Sequence, residues 1–495
     1  MKQPPLSYSF AEDADGQRLL ALFASALQAA GQLAAGEPGH PTELLERLGE
    51  DLLQLDELCR DHPALTNESF YAAQLKNVRY TLEQIKTAME KGDAAGAAST
   101  AKYQLRCFLL ELREEIYFWA YVYPWPERWG PYYQSEFAAH HRNEYLAEGH
   151  AAYEVSIFVP ARDQLDYTRQ CVESILRHTD AAAVNYELIL INHGSRDGTQ
   201  AYFESIPGAK RLHFKENVRM MMFSSAMRVC EGAYMAFVSN DTVVTKDWLE
   251  LLLRCIRSDP AIISATPTTP RVSNFQSSPE SYQNMEEMQR FAAEVNRHDP
   301  LKWERRARMM PVIALYDMEK LNQIGFTDRY FRTMEFWDDD FSLRARRRGY
   351  QQLLCRNVFC HHYGSVTGGE AQVKEHTLQL GRKLFVRKHG VDAWENGAYY
   401  DYFACAQLQS RKPPAGLPAE ILGVDCGFGD TLLQIANLLR KDGITSQIDS
   451  VTMQAPYAGD VKGISRTSLL AEDEQGLLDC LGKGLAGRQY HYVYL

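Results

Sequence analysis

The chain has no paired cysteines to staple it. Its ten cysteines, at 59, 107, 171, 230, 255, 355, 360, 405, 426 and 480, are scattered with no Cys-x-x-Cys pair. In a chain this long they read as reduced core residues of a cytosolic protein. Positive charge is in short supply as well. With 53 Lys and Arg against 64 Asp and Glu, the net charge is -11, and a nucleic-acid binder would need a basic face. No charged-then-apolar leader follows Met1, and no uncharged apolar run reaches the ~18 residues of a membrane helix. Neither export nor a transmembrane span is expected. The expected location is cytoplasmic, with peripheral attachment at the inner face of the membrane as the variant.

What is present is ordinary globular material. At 495 residues, 45% hydrophobic and 24% charged, the chain is too long for one core, and two to four domains are expected. Apolar residues recur at helical spacing in four stretches: Gly16 to Ala35, Thr42 to Leu55, Asn67 to Lys91 and Ser99 to Tyr121. Residues 1–125 therefore read as a helical domain, a scaffold or a candidate for homo-oligomerisation, with a docking surface for a large acceptor as the alternative. Residues 126–152 form a connector. It continues the aromatic and Pro-rich run Tyr121 to Tyr133, which reads as interdomain packing, with sugar stacking as the functional alternative.

From Tyr153 the pattern changes to strands alternating with helices. Val155–Val159, Tyr186–Ile191, Arg211–Phe214 and Ala233–Val238 are predicted strands, with Pro160 stopping the first. Such alternation implies a mostly parallel sheet covered on both faces, with ligands bound beyond the carboxyl ends of the strands. Three polar tips follow apolar segments: Ser239-Asn240-Asp241, Trp337-Asp338-Asp339-Asp340, and His361-His362-Tyr363-Gly364-Ser365. Carboxylate, carboxylate and imidazole suit a site for a metal and a diphosphate.

Over about residues 153–390 the order and spacing of these motifs resemble the family-2 glycosyltransferases, inverting enzymes of GT-A fold. The resemblance implies the following roles. Pro160, Arg162 and Asp163, in Val155-Ser-Ile-Phe-Val-Pro-Ala-Arg-Asp163, lie against the nucleotide base. Asn192, Ser195 and Asp197, in Asn192-His-Gly-Ser-Arg-Asp-Gly-Thr199, form the second tip, where the family usually begins with Asp. An amide both donates and accepts, unlike a carboxylate. Ser239, Asn240 and Asp241 stand where the family has Asp-x-Asp or Asn-Asn-Asp-Thr, and Asp241 is the expected ligand of Mn2+ or Mg2+. Arg219 joins the donor-binding set. Gly325-Phe-Thr-Asp-Arg-Tyr-Phe331 leads to Trp337, at the family's Glu position, and to Asp338, the expected base. Consecutive residues on a helix point in different directions, so one of the three aspartates can face the acceptor. Asp339 and Asp340 are expected to serve the helix dipole. His362 fits the late metal or diphosphate ligand best, with His361 the alternative. Two basic runs, Lys302 to Arg308 and Arg344 to Arg348, read mainly as solvated faces. Arg344 closes the family motif and is a candidate for an internal pair.

After a linker at Lys412 to Gly416, Glu420-Ile-Leu-Gly-Val-Asp-Cys-Gly-Phe-Gly-Asp-Thr431 resembles the first motif of S-adenosylmethionine-dependent methyltransferases. The acid expected at the strand end is displaced to Asp425. The next strand, Ile448–Met453, has no ribose-binding acid, and about 80 residues are short of a full domain of that kind. Residues 417–495 are thus expected to be a truncated or degenerate Rossmann-like unit without methyl transfer.

The expectation is an α/β protein with an N-terminal helical domain, a GT-A domain at 153–410 and a small C-terminal Rossmann-like fragment. Its expected donor is a nucleotide-diphospho-sugar, UDP- or dTDP-linked, and its acceptor a glycan, lipid-linked or protein hydroxyl in bacterial surface polysaccharide or protein glycan assembly. The alternatives are a degenerate GT-A scaffold and a sugar nucleotidyltransferase. The latter would need a glycine-rich phosphate loop after its first strand, where this chain has Pro160-Ala-Arg-Asp163.

Overall fold

The computed structural model describes residues 14–36, 41–146, 151–364, 376–409, 411–413 and 416–495. The leader expected to be lacking at Met1, part of the connector, Ser365 and the middle of the Lys412–Gly416 linker lie outside these residues. The chain divides into two compact units. One comprises residues 1–169, 185–235 and 318–332, and the other 170–184, 236–317 and 333–495.

The first unit opens with helices at Ala14–Ala35, Pro41–Cys59 and Tyr71–Glu90. Ala14–Ala35 is long and apolar enough to cross a membrane by length and composition. Here Leu19, Phe23, Ala26, Ala29 and Ala30 form one buried face, the amphipathic stripe of a bundle helix. The fourth helical stretch is continuous from Thr100 to Val122, α-helical at Arg106–Ile116 and π-helical on either side. Arg106–Ile116 is buried nearly all round and carries three buried carboxylates, Glu111, Glu114 and Glu115. Buried charges persist only when paired. Arg329 donates to Glu115 at 3.1 Å and to Glu111 at 3.4 Å. Arg228 also pairs with Glu111, and His140 with Glu114. The helical region therefore shares one ionic core with residues 228 and 329 rather than standing apart.

The strands of this unit are β1 (Tyr153–Ala161), β2 (Tyr186–His193), β3 (Lys210–Phe214) and the start of β4 (Gly232–Val238). β1 and β2 pair in parallel from Val155↔Tyr186 to Ala161↔Asn192, and β2 pairs in parallel with β3. Pro160 does not stop β1. It stays in register opposite Ile191, because only alternate residues of a parallel strand turn their N–H toward a given neighbour.

The second unit contains β5 (Thr242–Val243), β6 (Ile262–Thr268), β7 (Trp303–Arg306), β8 (Ile313–Asp317), β9 (Gln351–Phe359) and β10 (His361–His362). β6 runs antiparallel to β8 and parallel to β9, β7 is antiparallel to β9, and β5 pairs with β10 in a two-stranded ladder. The last strands, β11 (Ala419–Val424), β12 (Ser446–Thr452), β13 (Thr467–Leu470) and β14 (Tyr492–Tyr494), make a separate parallel sheet in the order β13-β12-β11-β14. The helix Asp430–Lys441 follows β11. Its Asn437 accepts from the Arg305 N–H and donates to the Arg305 carbonyl, both at 2.9 Å. Asp460 receives Arg347 at 2.8 Å and Arg346 at 2.5 Å. The C-terminal sheet is thereby tied to β7 and to the helix Trp337–Arg347.

Candidate functional site

Asp241 ends the Ser239 tip in the turn that leads into β5. The two-residue ladder of β5 with β10 sets His362 opposite Thr242, which brings the His362 ring beside Asp241. Nε2 lies 3.4 Å from Oδ2, and both side chains are buried. The Ser239 hydroxyl donates to Asp241 Oδ1 at 2.5 Å. Burial alone would raise the Asp241 pKa, but the His362 contact and the Ser239 hydroxyl outweigh it and leave the carboxylate below its ordinary value. The other ring nitrogen of His362, Nδ1, is buried with no hydrogen-bond partner among the described residues. A buried, unsatisfied ring atom beside a held carboxylate is what a site completed by a ligand looks like.

His361 faces away from Asp241. Neighbouring residues on a strand face opposite ways, and His361 turns to Tyr282, whose hydroxyl lies 2.5 Å from its Nδ1. Burial lowers its pKa to about 4, so the ring is neutral. Among the described residues no group of three or more His, Cys, Asp or Glu could hold a metal ion. Asp241 and His362 therefore fit a cation that arrives with a diphosphate, since Mg2+ is commonly held by one or two protein ligands plus phosphates.

The three aspartates begin the helix Trp337–Arg347, and they separate by partner. Asp340 is fully buried and taken by Arg344 (2.8 Å), His389 (2.7 Å) and Lys388 (2.5 Å). Although burial opposes it, the Lys388 and Arg344 cations and the His389 hydrogen bond hold its carboxyl well below the ordinary range. Asp339 is buried against Arg308, Nε to Oδ1 at 2.8 Å. Asp338 is half-buried and makes no ion pair or side-chain hydrogen bond to the described residues; the amides at the helix start serve it. Burial and the adjacent Asp339 charge push its pKa up to about 7, with Arg308 opposing. A carboxylate titrating near neutrality is suited to general-base work.

The helix starts from a strained residue. Phe336 has φ 69°, a conformation that is a genuine outlier for a bulky side chain. Its ring stacks on Trp394 at 4.9 Å. Gly381 lets the helix Thr377–His389 approach closely: a Cβ there would meet Phe336 Cδ2 at 2.8 Å and Thr333 Oγ1 at 3.0 Å.

In the first unit the tips after β1 and β2 come together. Asp163, at φ 57°, accepts from the Arg196 N–H at 2.7 Å, and its own N–H donates to Ser195 Oγ at 2.9 Å. Pro160 is buried in β1, and Arg162 is exposed. Asn192 accepts from the Ser195 N–H at 3.0 Å. Asp197 accepts from the N–H groups of Leu165 and Thr199, both at 3.0 Å. Ser195 and Asp197 thus have turn-building work of their own, as Asx chemistry allows. Arg219, at φ 50°, points its guanidinium at the Arg332 carbonyl, 3.3 Å away. Asn240 is buried beside Asp241 in sequence.

The first basic run is less solvated than expected, and in the second Arg344 makes its expected internal pair while Arg346 is buried as well. Arg306 is buried, Glu304 is buried with Arg356 (2.8 Å) and Lys441 (2.7 Å), and Arg308 serves Asp339. Arg344, Arg346 and Arg347 each hold an aspartate. The four-residue β7, Trp303–Arg306, offered no alternation that would have shown this burial. Tyr282, Lys388 and His389 carried no signal either.

The glycine-rich turn after β11 is filled by the chain itself. The Phe428 N–H donates to the Asn396 carbonyl (2.8 Å) and the Asp430 N–H to the Gly397 carbonyl (3.0 Å). A Cβ on Gly427 would sit 1.7 Å from the Asn396 oxygen. Asp425 accepts from Thr452 Oγ1 and the Met453 N–H. The N–H groups that would cradle a nucleotide in a Rossmann turn are therefore spent internally.

Residues 156–313 match the sequence model of the family described as "Glycosyl transferase family 2". An "Uncharacterized glycosyltransferase" of Rickettsia bellii (strain RML369-C) is 26% identical over 145 residues, which is 29% of this chain and 19% of that protein. Escherichia coli "Chondroitin synthase" is 29% identical over 109 residues, 21% of this chain and 16% of that one. The chain spans less than a fifth of the length of these relatives. Among solved structures, the mannosyltransferase PcManGT from Pyrobaculum calidifontis, in complex with GDP-Man and Mn2+, shares 14% identity at a TM-score of 0.35, covering 48% of this chain and 66% of that one. That likeness is too low to speak to the site. Residues 156–313 of this mixed α/β chain are thus similar to a family-2 glycosyltransferase domain.

Proposed function

We propose that the chain transfers a sugar from a nucleotide-diphospho-sugar to an acceptor hydroxyl with inversion at the anomeric carbon. The observation that carries this reading is the sorting of three consecutive aspartates, which leaves Asp338 alone unpaired by cations and titrating near neutrality. A hydroxyl is a weak nucleophile at pH 7, and a positioned carboxylate that takes its proton as it attacks makes it a useful one. The acceptor oxygen forms its bond to the anomeric carbon as the bond to the diphosphate breaks on the opposite face; the proton goes to Asp338. Inversion follows from that single in-line displacement. Asp241 and His362 would hold a divalent cation, Mn2+ or Mg2+, which when bound supplies positive charge for the departing diphosphate. UDP- or dTDP-sugars are the expected donors and a glycan, lipid-linked or protein hydroxyl the acceptor, in bacterial surface polysaccharide or protein glycan assembly.

Calorimetric titration of UDP and dTDP with and without Mn2+ tests the donor half. The expected result is tighter binding with Mn2+ in the wild type and loss of that gain in Asp241→Ala with the fold intact. A Mn2+ effect that survives the substitution removes Asp241 from the role.

A further inference from the structure

The second unit carries a group of aromatic side chains that neither its core nor the proposed chemistry uses. Phe275 is 48% exposed and Tyr399 41% exposed. Tyr400 is half-buried beside them. The Phe275 ring lies 4.5 Å from the Tyr400 ring and 6.4 Å from that of Tyr399, centroid to centroid. Hydrophobic burial would draw such rings inward, yet the backbone does the opposite at a cost. Asn274 and Phe275 have φ 60° and 54°, two successive left-handed residues where a bulky side chain is disfavoured. Hydrogen bonds hold the turn in place. Asn274 Nδ2 donates to the Arg308 carbonyl (2.8 Å), Arg306 to the Asn274 carbonyl (2.9 Å) and Arg356 to the Phe275 carbonyl (2.7 Å). Strain that is over-determined in this way marks a side chain kept where it is for use.

The platform also connects to the base. The Arg308 guanidinium lies 5.0 Å from the centre of the Tyr399 ring, and the same guanidinium binds Asp339 at 2.8 Å. One side chain therefore separates the exposed rings from the residue next to Asp338. A pyranose ring offers an apolar C–H face to an aromatic surface and hydroxyls to a charged group at its edge. Phe275, Tyr399 and Tyr400 supply the aromatic surface, and Arg308, mostly buried, packs against Tyr399.

We propose that Phe275, Tyr399 and Tyr400 form a subsite that stacks on a pyranose unit of the acceptor. This rests on the transferase reading above, and its occupant is a glycan. The test uses the full chain with Mn2+ and UDP on an array of immobilised oligosaccharides, comparing wild type with Tyr399→Ala, Phe275→Ala and Tyr399→Phe. The wild type should retain at least one glycan. Each alanine variant should weaken that binding about tenfold, the size of one good aromatic contact. Tyr399→Phe should stay within about threefold, because it keeps the ring. Melting temperatures and calorimetric affinity for UDP with Mn2+ should be unchanged in all three variants. A wild type that retains no glycan, or alanine variants that bind as the wild type does, overturns the proposal. If glycan binding depends on the rings while UDP fails to bind in the wild type, the transferase reading fails and the glycan site stands. UDP binding without ring-dependent glycan binding sinks the subsite alone.

Discussion

The pH dependence of transfer is the sharpest consequence of how the three aspartates are sorted. Asp338 titrates at about 7 and must be ionised to accept a proton. At pH 6 roughly a tenth of it is ionised, so the single-turnover rate should be about tenfold below its plateau, and about a hundredfold below at pH 5. A carboxyl at its ordinary value of 3.8 would leave the rate flat over that range. Neighbours should move the inflection in opposite directions. Asp339→Asn removes the adjacent negative charge, so the inflection should fall below 7. Arg308→Met removes the cation that favours the ionised form, so it should rise above 7. Asp338→Asn should lose roughly 10²–10⁴-fold in rate and the inflection with it, with donor affinity unchanged. The assay is single-turnover transfer between pH 5 and 9 at saturating donor. An inflection that stays in Asp338→Asn, or that ignores Asp339→Asn, refutes the assignment of Asp338 as the base. Folding is linked to the same group. The folded carboxyl keeps its proton to about 7 and the unfolded one releases it near 3.8. This group therefore makes the fold less stable as pH rises between those values.

Gly381→Ala should slow transfer with little change in donor affinity, because its Cβ would press on Phe336 and Thr333 just before the base; a rate equal to wild type would show that this approach does not set the base. Gly427→Ala should lower the melting temperature by several degrees, since its Cβ would meet the Asn396 carbonyl at 1.7 Å and repair means moving backbone. S-Adenosylmethionine should show no saturable binding by calorimetry, and micromolar binding would contradict a self-filled turn. Arg329→Met should destabilise by about 3–5 kcal/mol in denaturant unfolding by stranding Glu115, while Glu111 keeps Arg228, and a loss under about 1 kcal/mol would mean the buried pair carries little.

Much of this was readable in the residues because period speaks directly. Alternating strands and helices from Tyr153 placed β1 to β4 within a few residues, and the tips carrying Asp241 and Asp338 fell where the pattern changed. Which member of a pair or triplet is engaged internally depends on partners far away in the chain. Nothing near Asp340 in sequence announces Lys388 and His389, and nothing near His361 announces Tyr282. The basic runs misled for a related reason: local charge density suggests a solvated face, while burial with a distant aspartate needs the fold. Pro160 misled because a strand-breaking residue is judged alone, whereas a parallel ladder leaves alternate donors unused on each side. In the C-terminal motif the glycines were visible, but the chain segment that fills their space, Asn396 and Gly397, was not.

The Asn437 amide, bonded both ways to the Arg305 backbone, has a consequence for solubility. β7 ends its run of strands, paired with β9 on one side. Its open side would offer free N–H and C=O groups to any passing strand, the usual route to edge-to-edge aggregation. Asn437 imitates one residue of a neighbouring strand and occupies that position, and its helix covers the rest. The C-terminal sheet thus acts as a cap on an adhesive edge. Asn437→Ala should make the chain more prone to aggregate by light scattering, and a lysine placed on the exposed side of β7 should restore part of its solubility.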